Sequence, residues 1–464
     1  EPVAGNSTPF QPIKKQIKTM RTPFITTIFI LVAGGVLPAF AQDAYEQTNL
    51  VSNLASYNPQ IIDPNMTDAW GIALRPPGAG GHIWIANAVG GTSSEYIGDV
   101  NGIPLHQDGL TSVSLDTPQF TDHGYAFVTG QVYNSASDIA GQPVEFAVSG
   151  PADNLSSGTP VPIPGGTSGS AKFVFVTEDG AINAWRSNTA TAMTSAPVKV
   201  DYSKTGDFSS AGLAANAVYT GVAMTQNAYT SAAYAANGAG GTGNLLFAAD
   251  QRNNAIEVFN NTWQDVTSSF HFATPADVGG LHVFNVTDIG SHLYVTYAAF
   301  NPSGDEGQEQ LEGAGLGHIV EYNEDGSLAL DFHDGANTPE GVLDEPWGVA
   351  VAPGTFGQYS GDLLVGNFGD GTIAAFDPAT GNFIDDLKDA DGNVISIDGI
   401  WGLTFGNGVS LGDASSLYFT AGPNAEQDGL FGKLTVATAA PEPGSIALLG
   451  AGAFALLRRR RPRY

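Results

Sequence analysis

The chain has 464 residues with 17 Lys+Arg against 46 Asp+Glu, a net charge of −29, and no cysteine. The two termini hold nine of the basic residues and only two of the acidic ones, so residues 42–439 carry 8 basic and 44 acidic residues, net −36. Such a surface repels nucleic acid and anionic lipid, which excludes both as partners, and the lack of cysteine excludes a disulfide scaffold.

The first 41 residues read as a secretory signal. Lys14, Lys15, Lys18 and Arg21 form a positive region, Phe24 to Leu37 an apolar stretch, and Ala39-Phe40-Ala41 a small-x-small cleavage site. The mature chain is expected to begin near Gln42. Because the sequence opens on Glu1, the first dozen residues are read as an upstream extension, with Met20 an alternative start.

From residue 42 to 439 a short pattern recurs: a bulky or Thr residue, a small or polar one, then an alternating apolar run. It stands at Trp70-Gly71-Ile72, Thr129-Gly130-Gln131, Thr220-Gly221-Val222, Phe284-Asn285-Val286, Trp347-Gly348-Val349 and Trp401-Gly402-Leu403. Each copy precedes a second strand rich in aromatic and β-branched residues, such as Ile83-Trp84-Ile85, Phe173-Val174-Phe175 and Leu417-Tyr418-Phe419. Third strands follow polar turns, as at Ala255–Phe259 and His318–Tyr322. Six such units predict an all-β chain folded as a six-bladed β-propeller, with Thr48–Val51 completing the last blade. A β-sandwich is the alternative, but it predicts no repeat near 60 residues. The glycines in the first strands fit crowding around a central channel.

Acidic residues precede several of the first strands. Asp68, Asp122, Asp344, Glu345 and Asp398, with Asn285, are candidate metal ligands, and Ca²⁺ is the cation that suits them. The competing reading is that Asp favours the turn that enters a strand. Trp70, Trp347 and Trp401 are candidates for stacking on sugar rings, against inter-blade packing. Asp389-Ala390-Asp391-Gly392-Asn393 superficially matches a Ca²⁺ loop, but its glycine spacing is wrong and it reads as a hairpin turn. The stretch Asn301–Gly313 reads as an acidic insertion between two strands of the fourth blade. The eight His lack metal-type spacing, and no Gly-x-Ser-x-Gly elbow is present.

The chain closes on Pro441-Glu442-Pro443, twelve apolar or small residues (Ile446 to Leu457), then Arg458, Arg459, Arg460, Arg461 and Arg463. Twelve helical residues span about 18 Å, short of a ~30 Å hydrocarbon core, and the arginines stay cytoplasmic. The segment reads as a short hydrophobic sorting helix that anchors the chain in the inner membrane only until it is cut. It resembles the PEP-CTERM sorting signal of Gram-negative bacteria, in which an exosortase is thought to process the tail. The repeat set, with Thr177-Glu178-Asp179-Gly180, resembles a family of six-bladed propellers that carry such tails, and more distantly NHL-type propellers. No reaction is assigned to that family.

The expectation is therefore three segments: a signal at 1–41, a propeller at 42–439 and a sorting signal at 440–464. The preferred function is a non-catalytic binding or scaffolding protein at the cell surface or in the extracellular matrix. It would be exported by the Sec pathway, with exopolysaccharide or surface proteins as partners. The alternative is a Ca²⁺-dependent lactonase or esterase with its site in the channel; a channel plugged by apolar side chains counts against it.

Overall fold

Alternating apolar residues in short runs, separated by Gly- and Asp-rich turns, build small antiparallel sheets rather than helices. The computed structural model describes residues 43–121, 123–138, 143–149, 168–186, 193–203, 216–226, 243–301, 311–336 and 338–437. The signal residues Ala39 and Ala41, the sorting residues from Pro441 to Arg461, and Asp122 lie outside them.

The described strands form six blades around one axis. The innermost strands, in chain order, are Ala69–Ala73, Val128–Tyr133, Tyr219–Met224, His282–Ile289, Pro346–Val351 and Ile400–Phe405. All six contain the repeated motif read from the sequence. Each packs against the next, and the sixth packs against the first, so the ring closes.

Closure is made by the chain's own N-terminal strand. Tyr45–Ser52 pairs antiparallel with Leu430–Val436 and supplies the fourth strand of blade six, with the short strand Ile61–Ile62 paired parallel beyond it. Ends far apart in sequence are thereby joined within one sheet, and the edge of Leu430–Val436 is covered. Blade three has three strands among the described residues, and a single bridge between Phe259 and Asp265 stands where a fourth would begin. The Asp389–Asn393 segment is a tight turn: Lys388 bridges Val394, and Asp389 accepts the Asn393 backbone N–H at 2.9 Å. The acidic insertion falls between the second and third strands of blade four, and its residues 302–310 are outside the described set.

Buried apolar side chains group into seven clusters among the described residues. Six of them lie one to each blade–blade interface, such as Trp84 and Val113 of blade one against Phe173 and Trp185 of blade two. Both faces of each sheet are therefore packed, and the second strands are buried along their whole length except at His292, which opens that of blade four. The seventh cluster lies on the axis: Trp70, Ala88, Phe284, Ala298, Trp347 and Trp401.

Glycine makes the crowding at the axis tolerable. A Cβ at Gly71 would sit 2.7 Å from the Thr129 carbonyl oxygen of the neighbouring inner strand, and one at Gly348 would run into that of Trp401. Blade four has Asn285 at this position, and its side chain fills the gap over Gly221. Its Nδ2 donates to the Trp347 carbonyl at 2.8 Å, which ties blade four to blade five.

Gly348→Ala is expected to lower stability by about 2 kcal/mol or more, because the obstacle is backbone and cannot rotate away. Gly354→Ala, with nothing within 4 Å of the new methyl, should change it by less than about 1 kcal/mol. Urea unfolding of both variants checks the contrast.

Candidate functional site: the two ends of the channel

The Trp-Gly dipeptides sit at bulges. In blade one, Ala69 faces Asn87 and Ile72 faces Ile85, so three steps on the inner strand match two on its partner. Blades five and six repeat the irregularity between Pro346 and Val349 and between Ile400 and Leu403. A bulge re-aims one side chain, and here it turns each Trp toward the axis.

The three indoles close the channel. Trp70 and Trp401 stack with centroids 3.8 Å apart, and Phe368 stacks on Trp401 at 3.9 Å. Trp347 meets Trp401 edge-on at 6.0 Å, and Phe284 does so at 5.9 Å. Trp401 is fully buried; Trp70 and Trp347 are nearly so. Trp347 Nε1 donates to the Thr220 carbonyl at 2.8 Å, and Trp401 Nε1 to Asp68 Oδ1 at 3.2 Å. Of the candidate stacking platforms, Trp70 and Trp401 stack on each other and Trp401 also on Phe368, while Trp347 meets both other indoles at a steep angle and lines the cavity described below.

The acidic candidates lie on the side where the inner strands begin. Asp68 and Glu345 each stand two residues before a Trp, in left-handed backbone with φ of 47° and 51°. Gly399 holds the same place in blade six with φ 63°. Asp68 is fully buried and its Oδ2 has no hydrogen-bond partner; Glu345 is 1% exposed and its Oε2 has none. Asp344, also buried, accepts the Gly313 N–H at 2.8 Å, and Asp398 is exposed and accepts the Asn424 N–H at 2.9 Å. Asn285 is taken up in its inter-blade bond. Among the described residues, no three His, Asp or Glu stand close enough to hold a metal ion.

Burial and mutual repulsion shift Asp68 and Glu345 toward their protonated forms. Burial, then the charge of Glu426, raises Asp68 well above the carboxylate range, and burial with Asp344, Glu312 and Glu426 raises Glu345 to about 8. Burial lifts Glu426 itself to about 7. Sequence reading missed Glu426 and Glu178 as members of this group. The available signal was their shared place just after the second strands of blades six and two.

The far end of the channel is open. Behind the indoles, all six inner strands line a cavity of about 850 Å³ that Trp347 floors. Its walls are mainly apolar, including Ile72, Val222, Val286, Val349, Leu403 and Phe405. Two charged residues stand on opposite blades: Arg75, whose guanidinium lies 5.7 Å over the Tyr133 ring, and Asp288. Burial and the neighbouring charge of Glu324 raise Asp288 to about 7. Neither residue was singled out from the sequence, since an isolated charge at the end of a strand or just after it carries no recognisable pattern.

A PEP-CTERM protein-sorting motif matches residues 439–461. An uncharacterized protein of Acanthamoeba polyphaga mimivirus is 26% identical over 404 residues, 86% of this chain and 82% of the relative. A second mimivirus protein is 36% identical over 150 residues, 32% of this chain and 37% of that protein. Among solved structures, a glucose dehydrogenase aligns with TM-score 0.40 and 11% identity over 85% of this chain and all of its own. The virginiamycin B lyase of Staphylococcus aureus aligns at 0.36 and 12% over the same shares. Neither structural likeness carries an argument about activity.

Glu345 binds its proton more tightly folded than unfolded. Its contribution to stability is therefore complete below its ordinary value of 4.5 and is lost as pH rises to about 8. The slope is about 1.4 kcal/mol per pH unit for one such group. Glu345→Gln should therefore melt higher than the parent at pH 9 and within a degree or two of it at pH 4. An equal difference at both pH values would contradict the assignment.

Proposed function

We propose that this chain is an exported binding propeller whose ligand enters the open end of the channel. The sorting motif implies export and a place at the surface or outside the cell, with processing by an exosortase. In this reading the Sec pathway delivers the chain, and the short hydrophobic segment holds it in the inner membrane until the tail is removed. The ligand then comes from the surface or the surrounding polymer matrix.

One observation carries the proposal: the channel is blocked by stacked indoles on one side and opens on the other into a cavity large enough for a drug-sized molecule. The hydrolase reading needs a cation with an open coordination position inside the channel. Here the candidate oxygens divide, with Asp68 and Glu345 behind the indoles and Asn285 engaged between blades. That division favours binding over catalysis.

N-phenyl-1-naphthylamine, a neutral apolar dye, should bind one to one with a rise in fluorescence. Val351→Trp, which adds bulk at a cavity-lining residue that is not fully buried, should weaken it at least tenfold while leaving the melting temperature within a few degrees. Equal binding by parent and variant would place the dye elsewhere and remove the proposal.

A further inference from the structure

The walls of the open cavity narrow the kind of molecule it takes; this step rests on the reading above, that a ligand enters this end of the channel. The four amide side chains on the walls are spent on the protein. Gln131 Nε2 donates to the Gly71 carbonyl at 2.9 Å, and its Oε1 accepts the Ser93 hydroxyl at 2.7 Å. Gln226 donates to the Tyr133 carbonyl at 2.9 Å, Asn407 to that of Arg75 at 3.2 Å and Asn285 to that of Trp347 at 2.8 Å. Apolar surface, a few hydroxyls and two charged side chains, Arg75 and Asp288, are what the described walls offer a ligand.

The two charges are not equally open. Arg75 is 7% exposed and packed on two sides: its guanidinium lies over the Tyr133 ring, and a Cβ on Gly81 would stand 2.7 Å from Nη1. Asp288 is only half-buried, and its carboxylate accepts the Ser291 backbone N–H. A carboxylate held at the wall of a mainly apolar cavity gives up part of its hydration, and an opposite charge restores what is lost.

The strands give the ligand a direction. Trp347 floors the cavity, and the bond from Asn285 to its carbonyl sets the two residues at one level. Asp288 lies three residues further along the inner strand of blade four, about 10 Å toward the mouth. Between the two levels the wall is aliphatic, with Val286, Val222, Val349 and Leu403.

We propose that the cavity takes an organic cation with an apolar body: the ammonium group pairs with Asp288 near the mouth, and the alkyl or aryl part lies along the aliphatic wall toward Trp347. The field of the whole ring favours the same sign, because residues 42–439 carry net −36 and draw cations while repelling anions.

Protons compete with the ligand. Burial, then the charge of Glu324, raises Asp288 to about 7. His292, which opens the second strand of the same blade, bears on Glu324 and lies 2.6 Å from Glu321. Arg75 is the charge on the opposite blade. Asp288 is ionised above about pH 7 and neutral below it, so affinity for a cation rises with pH while affinity for a neutral analogue does not.

The test is displacement of N-phenyl-1-naphthylamine from the full secreted protein by octylammonium, octanol and octanoate at physiological ionic strength. At pH 8.5 octylammonium should displace the dye at least tenfold more tightly than octanol, and octanoate no more tightly than octanol. At pH 5.5, where the amine is still protonated, octylammonium should bind at least tenfold more weakly than at pH 8.5, with octanol unchanged. Asp288→Asn should keep the dye and lose both the ammonium preference and its pH dependence. Asp391→Asn, which removes an exposed carboxylate from a distant hairpin turn, should behave as the parent does and so excludes general attraction to an acidic surface. Should Asp288→Asn fail to fold, the pH profile of the parent with the three probes decides. Dye binding that Val351→Trp weakens, with no preference for octylammonium over octanol, would overturn this inference and leave the cavity reading standing; so would a preference that survives Asp288→Asn. Dye binding that Val351→Trp leaves unchanged would remove the cavity reading and this inference together.

Discussion

Six strands must pass within contact distance of one axis, and the backbone of each occupies the space that its neighbour's Cβ would need. That constraint governs the molecule. It places glycine at Gly71, Gly130, Gly221, Gly348 and Gly402, where a Cβ would meet the next blade's inner strand. The inner strands have no backbone ladder between them, so side chains make the links. Thr129 donates to the Tyr219 carbonyl at 2.7 Å, Gln131 to that of Gly71 at 2.9 Å, and Thr220 to that of Phe284 at 2.5 Å. Blade four dispenses with glycine only because Asn285 both fills the gap and bonds across it.

The same crowding gives the channel its polarity. A bulge at each Trp-Gly step rotates the indole inward at the start of the strand, where three of them meet and close the axis. Further along, smaller aliphatic residues face the axis and the channel widens into a cavity. One ring thus carries two dissimilar ends, one aromatic and acidic, the other open and mainly apolar. The acidic end and the cavity lie on opposite sides of the indole seal.

Much of the fold was legible because repetition averages out local ambiguity. A single Thr-Gly-Gln-Val run says little, but six related runs, each followed by an aromatic strand, identify blades and even the closing strand Tyr45–Ser52. The site was less legible, because its properties depend on which way side chains turn. Trp70, Trp347 and Trp401 were visible as residues, yet a register shift, which leaves no mark in composition, decides that they meet on the axis. The acids before the strands were also visible. The part played by Glu426, from a loop more than 350 residues from Asp68, follows only from closure of the ring. Arg75 and Asp288 come together as walls of one cavity for the same reason.

The asymmetry of the channel is the claim on which the rest stands. A crystal structure of the mature protein, with ordered solvent located along the axis, tests it most directly. The account predicts no water between the rings of Trp70, Trp347 and Trp401 and a solvent-filled cavity beyond Trp347. A continuous file of water along the whole axis, with the indoles turned outward, would contradict it.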